Sequence, residues 1–144
     1  MSESGFDLGL GDATRAGVYF VTATDIDMLH MAARDAALCA RRLDLRDCRD
    51  KTTLLMRLGA ALDFPAGSSR NWDALADRLR DLSWLPAAGY ALLFDDAADL
   101  RSVDEASFDT LLEVLEEAAL DWGSRDTPFW VFIALPDEDF EQVE

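Results

Sequence analysis

The sequence predicts an α/β domain: a mostly parallel four-stranded sheet with helices packed on it. Runs of β-branched, aromatic or continuously apolar residues at 17–22, 39–45, 89–94 and 129–135 alternate with segments of helical period. No internal repeat or long linker interrupts the alternation. Half of the 144 residues are hydrophobic, so one domain at 17–135 can bury roughly two thirds of its unfolded surface. Residues 1–16 read as a flexible lead-in and 136–144 as an acidic tail.

Gly17–Thr22 marks the first strand. The Gly9-x-Gly11 pair precedes that strand instead of following one, the wrong context for a dinucleotide loop. Thr24 is expected to cap a helix over about 25–38, on which Ile26, Leu29, Ala33, Ala36 and Ala37 fall near helical spacing. His30, the only histidine, lies on this helix with no Ser or Cys partner in view, and reads as a boundary residue.

Cys39–Leu45 is the second strand. Asp50 caps a helix at 51–62 whose Leu54, Leu55, Leu58, Ala61 and Leu62 form an apolar stripe; Phe64-Pro65 ends it. Asn71 then caps a short helix in which Trp72, Leu75, Leu79 and Leu82 share one side, and Asp73, Asp77 and Asp81 the other. Like charges at i, i+4 cost a helix roughly 0.2–0.5 kcal/mol per pair. A helix that keeps such a row has a use for it. Trp72, Leu75 and Trp84 belong to its scaffold.

The apolar run at 89–94 suits a strand buried on both faces. Ser102-Val103-Asp104-Glu105 has the form of a capping box opening a long helix over 103–122, with Phe108, Leu111, Leu112, Leu115, Ala119 and Trp122 inward and Glu105, Asp109, Glu113, Glu116 and Glu117 outward. Gly123 stops it, and 129–135 is the last buried strand.

Net charge is −16, of which −14 falls on residues 95–144. That sign disfavours direct nucleic-acid binding and favours a basic protein partner. Cys39 and Cys48 form no metal-ligand spacing, which fits free thiols in a reducing compartment. The N-terminus lacks a basic then apolar signal segment, and no apolar run reaches the roughly 18 residues that span a bilayer. A cytoplasmic protein without membrane contact, cofactor or metal, and monomeric when free, is the expectation.

The segment Asn71-Trp72-Asp73-Ala74-Leu75-x-Asp77, led by Phe64-Pro65 and followed by Asp81-Leu82-Ser83-Trp84-Leu85-Pro86, resembles the signature of the barstar family, intracellular inhibitors of barnase-type ribonucleases. The resemblance covers about 39–135, so the first strand and helix would be an addition to a barstar-like layered fold. It implies that the signature helix and the loop before it plug the ribonuclease active site. Asp77 resembles the carboxylate that takes the place of the substrate phosphate, Asp73 a neighbouring interface carboxylate and Glu117 a more peripheral one. Arg70 and Ser68 fall in the loop of the same surface. The chemistry is sound on its own terms, because an active site that gathers Arg, Lys and His around a phosphate offers the same charge-assisted hydrogen bonds to a carboxylate. The chain departs from the family in two places: Gly67, Ser68 and Ser69 stand where it usually has two aromatics and a glycine, and Ala76 where its best-known member has a tryptophan.

Two other readings compete. The same fold could serve as an acidic immunity or adaptor protein for an unrelated toxin or basic partner. Alternatively, Asp95, Asp96 and Asp99 follow a parallel strand, where α/β enzymes bind ligands, and could hold Mg²⁺. No phosphate loop, activated nucleophile or basic cluster accompanies them, so no catalytic residue is assigned.

Overall fold

In this computed structural model residues 9–67 and 70–136 are described. Their elements are β1 (Val18–Thr22), α1 (Ala23–Asp35), β2 (Cys39–Asp44), α2 (Lys51–Ala61), α3 (Trp72–Asp81), β3 (Tyr90–Asp95), α4 (Ala98–Val103), α5 (Glu105–Gly123) and β4 (Phe129–Leu135). The strands form one sheet in the order β1-β4-β3-β2, every pair parallel. The α/β expectation is met. What the sequence did not reveal is that the first strand lies beside the last, Val18 opposite Val131 and Thr22 opposite Leu135.

Alternation along β3 and β4 divides the interior into two layers. Tyr90, Leu92, Phe94, Phe129, Val131, Ile133 and Leu135 point into the larger core with leucines of α2, α3 and α5. Ala91, Leu93, Trp130, Phe132 and Ala134 point to the opposite face, where Leu10, Ile26, Leu29 and Ala33 cover them. Both strands are therefore continuously apolar, from Tyr90 to Phe94 and from Phe129 to Leu135, as sheets covered on two sides require. The small Ala91, Ala134 and Ala33 let α1 approach the sheet closely. Trp130 donates its Nε1–H to the Leu10 carbonyl at 2.7 Å, and Tyr19 stacks on Trp130 and Phe132 at centroid distances of 5.7 and 6.2 Å. Within the expected lead-in, then, Leu10 is docked; residues 1–8 lie outside the described residues, as does the tail beyond Pro136. A Cβ on Gly89 would meet Leu38 Cδ2 at 2.6 Å and Pro128 Cγ at 2.7 Å, so only glycine fits where β3 begins.

Several boundaries differ from expectation, and α1 ends at Asp35, short of the expected 38, with Ala36 as its C-cap and Ala37 left-handed. Thr22, not Thr24, caps α1, its side chain accepting the Asp25 N–H, because β1 runs into the helix without a loop. The long helix starts at Glu105, two residues later than expected: a short helix that was not anticipated, α4, ends at Val103, and Asp104 (φ −138°) caps α5 by accepting the Ser107 N–H. Ser102 is thus inside α4 instead of opening a capping box. Gly123 is the last residue of α5, and Ser124 caps it.

Across the exposed edge of β2, Arg42 joins three elements. Its guanidinium grips both oxygens of Asp95 at 2.8 and 3.0 Å, reaches Asp27 at 2.7 Å, and lies 3.2 Å from Nδ1 of His30. Arginine can only donate, so Nδ1 accepts and the imidazole is neutral there. Burial and then the positive charges of Arg42 and Arg34 hold the His30 pKa below its ordinary 6.5, against the opposing pull of Asp27 and Asp95. The unfolded chain consequently takes up this proton at a higher pH than the folded one. His30 should contribute stability above pH 6.5 that is lost as pH falls from there towards its folded value. Urea midpoints compared at pH 7.5 and 5.5 should show a smaller drop in His30→Gln than in the wild type; equal drops would remove His30 as the cause.

Candidate functional site

The acidic helix α3 is fixed at both ends. At its start the Asn71 side chain accepts the Ala74 N–H at 2.7 Å, the N-cap the sequence indicated. At its end Leu82, buried and left-handed (φ 47°), turns the chain inward and returns its N–H to the Arg78 carbonyl. Trp122 of α5 donates Nε1–H to the Leu79 carbonyl at 2.7 Å, and Arg125, in the turn after α5, donates to the Arg80 carbonyl at 2.8 Å while its guanidinium lies 3.8 Å over the Trp122 ring. These two side chains supply donors to carbonyls that have no further helical turn to serve.

Leu75 and Leu79 are buried on the inner face, and Trp72 is half-buried with Lys51 Nζ 5.9 Å from its ring centroid. Trp84, beyond the end of α3, is tied back to the end of α2: its Nε1–H reaches the Leu62 carbonyl at 2.9 Å and its ring meets Phe64 edge-on.

Asp73, Asp77 and Asp81 all face solvent. Asp73 stands in the first turn, where the helix dipole favours a carboxylate, and it has no side-chain partner among the described residues. Asp77 pairs with Arg80 at 2.9 Å, both ends open to water. Asp81 accepts from the Ser83 hydroxyl at 3.3 Å. Arg80 was missed in the sequence reading, although an Asp–Arg pair at i, i+3 is a visible signal. Arg70 is exposed just before the cap, and Glu117 is exposed on α5, the helix packed against α3. Among the described residues, no hydrogen bond or ion pair joins Glu117 to Asp73 or Asp77. Ser68 lies outside the described residues.

The carboxylates at the strand ends are otherwise engaged. Asp95 is held by Arg42, Asp96 by Arg46 at 3.2 Å, and Asp99 accepts the Asp47 N–H at 3.2 Å. Arg46, Asp96 and Asp99 line a cavity of about 360 Å³ with Ala23, Ala134 and Pro136, at the carboxyl edge where ligands of such sheets bind. Among the described residues no three His, Cys, Asp or Glu side chains converge on one point as metal ligands would. Cys39 and Cys48 are free thiols, and burial raises the Cys48 pKa. No described helix is long and apolar enough to cross a membrane.

Comparison with known families places this geometry. The family described as Barstar (barnase inhibitor) matches residues 38–134, from the residue before β2 to the penultimate residue of β4. No curated protein matches the chain. The match contains the whole of α3, its caps and the α5 contacts that hold it, and it spans more than half of the sequence. The chain belongs to the Barstar family.

Proposed function

We propose that this protein binds a basic, barnase-type ribonuclease and occludes its active site with α3. The observation that carries the reading is a helix locked at both ends whose outer face offers Asp73 and Asp77, in a chain of the barnase-inhibitor family. Asp77 enters the cationic pocket and accepts the hydrogen bonds a substrate phosphate would take; Asp73 engages a neighbouring base. To do so Asp77 exchanges Arg80 for the partner's cations. Exposed pairs of this kind contribute about 0.2–1 kcal/mol, so the exchange costs little. Glu117 and Arg70 lie towards the rim, Ser68 is a further contact carried over from the family resemblance alone, and the excess of acid on residues 95–144 accelerates encounter with a basic enzyme.

Titrating the protein into a barnase-type ribonuclease should give stoichiometric inhibition, relieved by excess RNA, with an association rate that falls as salt rises from 0.05 to 0.5 M. Absence of inhibition at micromolar concentration would remove the reading. A second one, immunity to a different basic toxin, is favoured by the small residues Gly67–Ser69 and by Ala76, which leave the surface without the large anchors that often fix partner choice. Complex formation without loss of ribonuclease activity would select it.

A further inference from the structure

A cavity of about 290 Å³ opens beside the acidic helix, between α2 and the segment leading into α3. Leu55 and Leu75 are buried in its wall, Phe64 and Pro65 flank them, and Met56, 46% exposed, stands at the rim with Arg70. Asn71, the N-cap of α3, and Leu75 within α3 belong to this wall, so the cavity adjoins the start of the acidic helix. The geometry points to a socket for one aromatic side chain of the basic protein whose cations engage Asp73 and Asp77. This assignment rests on the inhibitor reading and adds the anchor that an acid row alone lacks.

Gly59 indicates that the space is kept open. It sits inside α2, where glycine costs about 1 kcal/mol relative to alanine. Nothing steric demands it: a Cβ there would meet only Phe64, at an ordinary 3.5 Å. A helix residue that sacrifices stability without a backbone reason, on the wall of a cavity, is consistent with a surface that receives something. Ala60, Ala66 and Gly67 continue the small lining. The rim favours an aromatic occupant over an aliphatic one, since a guanidinium binds the face of a ring and a thioether its edge. Its volume lies at the lower limit of small-ligand pockets, which suits one side chain. The net charge of −16 and the adjacent carboxylates make the bearer of that side chain a basic protein.

The test uses p-cresol, the tyrosine side chain alone, titrated into the full-length protein and followed by amide NMR. Saturable shifts at Leu55, Gly59, Ala66, Gly67 and Arg70 are expected, lost in Ala60→Trp, which fills the cavity from an exposed position. Ala60→Trp should also weaken binding to a barnase-type ribonuclease about tenfold, and Gly59→Ala should raise the melting temperature while weakening both ligands a few-fold. Cresol shifts that are absent, scattered or unchanged in Ala60→Trp would overturn the socket. So would a ribonuclease held equally tightly by wild type and Ala60→Trp, a result that leaves the inhibitor reading standing. If the wild type binds no ribonuclease, the inhibitor reading fails, and the cresol titration decides alone whether the socket exists.

Discussion

A chain starting at residue 38, where the family match begins, should fail to reach the native state. Removing residues 1–37 strips Leu10, Ile26, Leu29 and Ala33 from the second face of the sheet and leaves Ala91, Leu93, Trp130, Phe132 and Ala134 facing water. It also turns β4 into an edge strand with an unpaired ladder along Val131–Leu135. Arg42 loses Asp27, and Trp130 loses the Leu10 carbonyl. Truncating a single buried Trp or Phe costs about 3–5 kcal/mol, and a domain of this size has only about 5–15 kcal/mol to lose. Two large aromatics and an edge exceed that margin. The shortened chain is expected to be insoluble or to lose its near-ultraviolet circular dichroism and bind anilinonaphthalene sulfonate. Cooperative unfolding within a few degrees of the full-length melting temperature would show instead that the first strand and helix are dispensable. Trp130→Ala in the full chain should lie between the two, still folded but about 3–5 kcal/mol less stable in urea.

The importance of that face was only half visible in the sequence. Residues 129–135 announced a strand buried on both sides, but nothing in a one-dimensional pattern says which element covers which face. The neighbour of β4 proved to be β1, more than a hundred residues away. Local signals were read well where one residue decided the outcome, as at Asp50 and Asn71, both of which cap as expected. They were misread where two candidates stood close together. Thr22 and Thr24 can each accept an N–H, and the choice fell to Thr22 because the strand ends there in the extended conformation a cap needs. At Ser102 and Asp104 the outcome was similar: Asp104 caps α5, and Ser102 lies within the preceding short helix. At the candidate site the acid row was legible because helical spacing is local. The clamps from Trp122 and Arg125, the engagement of Asp95 by Arg42 across 53 residues, and the cavity beside α3 all depend on which elements pack together.

Asp77→Ala should weaken ribonuclease binding by a hundredfold or more and leave the fold unchanged. The two halves of that expectation have different causes. In the free protein Asp77 is exposed and its one pair, with Arg80, is open to water, so its loss should move stability by less than about 0.5 kcal/mol. In the complex the same carboxylate is buried against a cationic site built for a phosphate. Removing one member of a buried ion pair costs about 3–5 kcal/mol, because the remaining charge is stranded without water. At 1.4 kcal/mol per factor of ten, that is at least two orders of magnitude in Kd. Asp73→Ala, nearer the helix start, should cost less, and Glu117→Ala should mainly slow association and reduce its dependence on salt. Arg80→Ala separates this explanation from a general effect of charge. It makes the protein more negative and frees Asp77 from its internal partner, so binding should tighten slightly or stay within threefold. If Arg80→Ala weakened binding as much as Asp77→Ala, the pair itself would be the recognised unit and Asp77 would not be standing in for a phosphate. Calorimetric Kd values for the two variants at one salt concentration decide between these outcomes.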